Sequence, residues 1–167
     1  MAFVRHYLLA VQFFTRLPIT GRLAGWVGYS PEMLRASAAH FPGVGWLVSA
    51  VAMGVYALLW TALAGSPGAA LVAAIFSTAS TVWLTGGLHE DGLADVADGL
   101  GGSADRSRAL QIMKDSHIGA FGAMALVLAL LAKVALLALI GAHSLAAVLA
   151  ALLGGQVLSR FWPLLLV

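Results

Sequence analysis

Cysteine is absent from the 167 residues, which excludes disulfides and thiolate metal sites. Any metal must therefore be held by oxygen or imidazole. Charge is scarce too: 10% of residues are Asp, Glu, Lys or Arg, against roughly a quarter in soluble domains. With 61% hydrophobic residues and a mean hydropathy of +0.95, water is not the chain's main solvent. The net charge of +2 and pI near 9.4 rest on so few charges that nucleic acid is not an expected partner. A removable leader is not expected, because the apolar stretch Tyr7–Phe14 runs into Arg16 and Pro18 without a small-residue cleavage site. That stretch is also far shorter than the ~20 residues needed to cross a bilayer, so it reads as an interfacial helix.

Four segments approach spanning length: about 41–64, 69–85, 118–140 and 145–167. Gly65-Ser66-Pro67-Gly68 joins the first two and Gly141-Ala142-His143-Ser144 the last two, both turns free of Lys, Arg, Asp and Glu. The expected fold is all-α: a polytopic transmembrane bundle, one membrane domain over 1–167, with a cytoplasmic or interfacial segment at 1–40. Charges cluster in residues 1–40 and 86–117, with only Lys133 and Arg160 elsewhere. Four crossings put both clusters on one face, and the positive-inside rule makes that face cytoplasmic. Lys133 is expected to snorkel towards the opposite face. Glycines at Gly43, Gly45, Gly154 and Gly155 are expected to let helix backbones approach closely.

Between the hairpins lies the acidic loop, 86–117, which holds six of the seven acidic residues. On a helix Asp91, Asp95 and Asp98 fall at i, i+4 and i+7, one narrow stripe, with Leu93, Val96, Ala97 and Leu100 on the other side. Like charges at that spacing repel, so the stripe calls for a cation. Magnesium takes oxygen ligands and commonly combines one or two carboxylates with substrate phosphate. Two ions on one stripe would suit phosphoryl displacement. A solvated acidic face is the plainer alternative, but the interleaved Gly86, Gly87, Gly92, Gly99, Gly101 and Gly102 permit close backbone approach. Further on, Ser103 is placed to cap a short helix with Asp105 in its first turn and Lys114 in its last. Lys114-Asp115-Ser116-His117 then offers phosphate-binding cations and another carboxylate.

These residues resemble the cobalamin synthases, also called adenosylcobinamide-GDP ribazoletransferases. The resemblance rests on Phe14-Thr-Arg-Leu-Pro18, Phe41-Pro-Gly-Val-Gly45, His89-Glu-Asp-Gly-Leu-Ala-Asp-Val-Ala-Asp-Gly99, Ile112-Met-Lys-Asp-Ser-His-Ile-Gly-Ala-Phe-Gly122 and Leu158-Ser-Arg-Phe-Trp162. It implies an enzyme of the bacterial inner membrane that uses Mg²⁺ to join adenosylcobinamide-GDP to α-ribazole or its 5′-phosphate, releasing GMP. Asp91, Asp95 and Asp98 are the expected metal ligands. One of them, or Asp115, would take the acceptor's proton. Arg16, His89, Lys114, His117 and Arg160 are the expected substrate-binding residues. A homo-oligomer is compatible with the sequence. Members of this family run longer, so the chain is expected to be truncated after Leu164-Leu-Leu-Val167. The rival readings are an ion-coupled transporter, which would place carboxylates within the spans, and a lipid-head-group phosphotransferase with a different spacing of Gly and Asp.

Overall fold

The structure, a computed structural model, describes residues 1–165, and the expected end of the fourth span at 166–167 lies outside them. The described residues form α1 (Ala2–Phe14), α2 (Gly21–Val27), α3 (Pro31–Ser37), α4 (Phe41–Ala62), α5 (Ala69–Thr85), α6 (Leu88–Gly102), α7 (Arg106–Ile112), α8 (Ala120–His143) and α9 (Leu145–Phe161). Short 3₁₀ turns occupy Ala38–His40 and Trp162–Leu165. Among these residues the fold is all helical, as expected. Three helical stretches, Pro31–Ala62, Ala120–His143 and Leu145–Leu164, are long and apolar enough to cross a membrane. The second expected span, α5, has 17 residues and meets that standard only jointly with α6. At 1.5 Å per residue it covers about 25 Å, the short end for a span.

The four long helices run alternately up and down, with α4 packed on α5 and α9, and α8 on α5 and α9. Lipid tails are as apolar as Leu, so close approach and polar contacts hold such a bundle together rather than water exclusion. A Cβ on Gly45 would lie 2.7 Å from the Gln156 carbonyl oxygen, so glycine there lets α4 and α9 touch backbone to backbone. Gly154 and Gly155 differ from expectation: beyond their chain neighbours and the adjacent backbone of their own helix, no atom of the described residues lies within 4 Å of where their Cβ would stand, and they leave space instead of closing it. At the α4–α5 turn end, the Tyr56 hydroxyl reaches the Leu137 carbonyl (3.2 Å) and the Trp60 indole donates to Gly141 (3.1 Å). Lower in the bundle Ser77 donates to the Ala52 carbonyl at 2.9 Å. Trp46, Leu58, Phe76, Trp83, Leu128 and Leu139 are exposed outward, as a lipid-facing surface requires.

The other end of the bundle carries the remaining elements. Helix α1 is longer than the expected apolar stretch and buries Ala10, Val11 and Phe14 against Phe41, Val44 and Leu84. Helix α5 ends at Gly86 (φ 69°) and Gly87 (φ 75°), two consecutive left-handed residues that side-chain-bearing residues rarely adopt. They turn the chain by 87° into α6. The acidic loop is therefore a helix lying across the bundle end, not an extension of the span.

Candidate active site

Helix α6 is amphipathic in an unusual sense, with carboxylates along one side and Leu88, Leu93, Val96 and Leu100 exposed along the other. Its acidic side faces the connection from α7 to α8, and between them lies a cleft of about 560 Å³. Asp91, Asp95 and Asp98 line one wall, and Lys114, Asp115 and His117 the other. Ligand sites typically span about 300–1,000 Å³, so a phosphorylated sugar fits. The spacing argument thus holds: the helical stripe meets the Lys114–His117 segment across one space.

The three aspartates, expected as a joint ligand set, are not equivalent in their surroundings. Asp91 is exposed, Asp95 half-buried and Asp98 only 8% exposed. Asp98 accepts backbone hydrogen bonds from Gly119 (2.7 Å) and Gly122 (2.8 Å). These N–H groups open α8, and no earlier carbonyl of that helix can satisfy them. A carboxylate there also meets the positive end of the helix dipole. Any Cβ on Gly119 or Gly122 would collide with that carboxylate. Asp98 therefore ties α6 to the start of α8. Asp91 and Asp95 carry no such load: among the described residues the ion pairs are Arg35–Glu32 and His117–Asp115 alone. Among the same residues no three His, Asp or Glu side chains converge into a self-sufficient metal site. Two free carboxylates one turn apart, open to solvent, nevertheless fit a magnesium ion that completes its shell with water and substrate oxygens.

Across the cleft, Asp115 Oδ1 lies 2.6 Å from His117 Nδ1 and accepts the His117 backbone N–H at 3.1 Å. The contact holds the imidazole from one side and leaves Nε2 free. The hydrogen bond to Asp115, and then its charge, push the His117 pKa above the ordinary histidine value. The same bond pulls Asp115 below the usual carboxylate range. Sequence reasoning assigned these two residues separately; their pairing across one intervening serine depends on the turn that follows α7. That helix also starts differently from expectation. Asp105, not Ser103, is its N-cap, accepting from the Arg108 N–H at 2.8 Å, while Ser103 accepts from Asp105 N at 3.1 Å.

The other expected substrate contacts lie elsewhere. Arg16 is exposed beside Gly86, its backbone N–H bonding the Leu84 carbonyl (2.8 Å) and its guanidinium reaching the Gly86 carbonyl (3.5 Å). It caps the end of α5 and flanks the cleft without lining it. His89 and Arg160 leave the cleft altogether. They line a separate cavity of about 360 Å³ inside the bundle, with Glu90 and Lys133. His89 stacks on Phe14 at 5.9 Å, and the Arg160 guanidinium lies 5.5 Å from the same ring.

Lys133 does not snorkel towards the far end. Side chains on an α-helix lean towards its N-terminus, and on α8 that direction leads to α6. The same lean turns Arg160, near the end of α9, back into the bundle, where it is 1% exposed. Glu90 was the member of this cluster that sequence reasoning left without a role. The available signal was helical phase: Glu90 sits 100° off the acidic stripe.

Residues 6–167 match the cobalamin-5-phosphate synthase family. The chain is 63% identical over its whole length to the adenosylcobinamide-GDP ribazoletransferase of Polaromonas naphthalenivorans, of which it covers 64%. It is 65% identical over 98% of its length to the same-named protein of Albidiferax ferrireducens, covering 58% of it. The chain thus spans less than two thirds of these relatives. No solved structure matches it. On the family match and these identities, the chain belongs to the cobalamin-5-phosphate synthase family.

Proposed function

We propose that this chain carries the magnesium-dependent phosphotransfer centre of a membrane ribazoletransferase, joining adenosylcobinamide-GDP to α-ribazole or its 5′-phosphate and releasing GMP. One observation carries the reading: unpaired Asp91 and Asp95 face Lys114 and the Asp115–His117 pair across a single cleft. The names of the relatives supply the substrates.

The acceptor's ribose hydroxyl oxygen attacks the phosphorus on the cobinamide side of the pyrophosphate. A new P–O bond forms as the bridging P–O bond breaks, and its electron pair leaves with GMP. His117 Nε2 takes the hydroxyl proton, and Asp115 on Nδ1 stabilises the imidazolium that results. Lys114 places a point charge on the phosphates. Asp91 and Asp95 would hold Mg²⁺, which when bound neutralises charge developing on the phosphate oxygens. Asp98 keeps α6 in register with α8, so the two walls stay opposed. Activity of this type depends on positioning, and the bent α5–α6 unit supplies it.

The setting we propose is the bacterial inner membrane with the cleft on the cytoplasmic side, because the basic residues of the loops concentrate at that end. Labelling checks the orientation in intact cells. Ser66→Cys is expected to react with an impermeant thiol reagent and Ser103→Cys is not; the reverse pattern inverts the topology.

The functional test measures GMP from adenosylcobinamide-GDP in proteoliposomes. Release is expected only with both a ribazole acceptor and a divalent metal, and is expected to stop on chelation. Ion flux that needs no acceptor, without GMP, replaces the enzyme reading with the transporter.

A further inference from the structure

The cavity on the far side of α6 is not explained by phosphotransfer in the acidic cleft. It runs from Arg160 to Ala151 along α9, about 14 Å at 1.5 Å per residue, between α5, α6, α8 and α9. Its lining holds both acceptors and donors. Thr81 and Thr85 spend their hydroxyl protons on the carbonyls of Thr78 and Thr81, so they offer only lone pairs to the cavity. Glu90 adds a carboxylate whose buried Oε2 has no hydrogen-bond partner. Lys133 and Arg160 line the same cavity and are pure donors.

Arg160 is the decisive group. It is 1% exposed, and its contacts are to Gln156 and Ser159 of its own helix, at 2.7–3.2 Å from one terminal nitrogen. Its Nε has no acceptor among the described residues. No carboxylate lies within ion-pair distance of Arg160 or Lys133 among the described residues. Two cations against one carboxylate leave this low-dielectric space positive. A buried charge persists only when paired and hydrogen-bonded.

We infer that this cavity is a second binding site that takes a phosphate ester bearing a free hydroxyl. The phosphate oxygens answer the donors of Lys133 and the open Nε of Arg160. The hydroxyl supplies the donor that Glu90 Oε2 lacks. A bare anion would leave Glu90 unsatisfied and a neutral alcohol would leave both cations so, whereas a hydroxylated phosphate ester answers both the carboxylate and the cations. The site is physically separate from Asp91 and Asp95, and its occupation does not require the metal.

The experiment uses the 167-residue chain in phosphatidylcholine nanodiscs with EDTA present, and glycerol 3-phosphate as the probe. A saturable rise in melting temperature is expected, at least tenfold weaker with sulfate at matched ionic strength. Lys133→Met and Arg160→Gln are expected to lose it, and Asp91→Asn to keep it. Should Arg160→Gln not fold, Lys133→Met carries the test alone, since it preserves side-chain length. A second arm adds phosphatidylglycerol to the nanodiscs, a lipid whose headgroup is itself a hydroxylated phosphate ester. Stabilisation by that lipid, lost in Lys133→Met and competing with the soluble probe, identifies the bilayer as the source of the ligand. No response to either probe, equal responses to sulfate, or responses that survive Lys133→Met overturn the site. Because magnesium is chelated throughout, failure here is distinguishable from failure of the phosphotransfer reading, which is judged by GMP release.

Discussion

Asp91 and Asp98 are the same residue on the same stripe of α6, two turns apart, and the structure puts them to opposite uses. Asp91 is exposed and unpaired, while Asp98 is 8% exposed with both oxygens taken by the opening N–H groups of α8. Helical phase aligned the carboxylates, but what each one meets depends on where α6 converges with α8. Asp91 opens onto the cleft, whereas Asp98 meets the first turn of α8. A carboxylate stays open to the cleft in the first place and ties two helices together in the second.

Activity gives the largest expected break in that comparison. Asp91→Asn and Asp95→Asn preserve shape and remove charge, so GMP release is expected to fall on the order of 100-fold or more, as loss of a metal-site group typically does. The melting temperature in detergent is expected to stay within a degree or two, because neither side chain ties elements together. A variant that keeps wild-type release at limiting magnesium removes that residue from the metal site.

Asp98→Ala inverts the pattern. It strips acceptors from two N–H groups, one of them buried. Hydrogen bonds to a charged group contribute about 1.5–3 kcal/mol each, so a loss of at least about 2 kcal/mol and several degrees of melting temperature is expected. Gly122→Ala approaches the same joint from the other side. Its Cβ would meet the Asp98 carboxylate and stand 2.9 Å from the Ala94 carbonyl oxygen, so overpacking costs about 1–3 kcal/mol. If Asp98→Ala abolishes release at an unchanged melting temperature, Asp98 is a ligand like its neighbours and the contrast disappears.

Much of this was legible in the sequence for identifiable reasons. The hydrophobic runs gave helix limits close to those observed: α5 was expected at 69–85 and lies at Ala69–Thr85. The i, i+4, i+7 spacing placed the aspartates on one side of a helix. Side-chain direction was not legible, because it needs the partner element as well as the residue. Lys133 was misdirected by distance to the nearer helix end, when the lean of the Cα–Cβ bond decides the matter. Arg160, expected among the substrate-binding residues, proves buried inside the bundle. The right-angle turn at Gly86-Gly87 was hinted at by the paired glycines, but its size depends on both adopting positive φ, which composition alone does not fix.

The smallest expected effect tests whether the Asp115–His117 pair belongs with Asp91, as chemistry, or with Asp98, as architecture. Both side chains are exposed, so the pair contributes little to folding, and Asp115→Asn is expected to leave the melting temperature unchanged. Its effect lies in pH dependence. The hydrogen bond and charge of Asp115 raise the His117 pKa above 6.5. His117 as a base must be neutral, so activity is present above that raised pKa and is lost as pH falls through it. Asp115→Asn lowers the His117 pKa back towards its ordinary value, and the acid limb of the rate profile is expected to move to lower pH. The rate on the plateau is expected to fall about tenfold as the ring loses its orienting partner. Titration of the His117 ring by NMR in the same variant checks that the two shifts coincide. An acid limb that stays in place while the NMR pKa moves assigns the proton transfer to another group and returns the pair to a structural role.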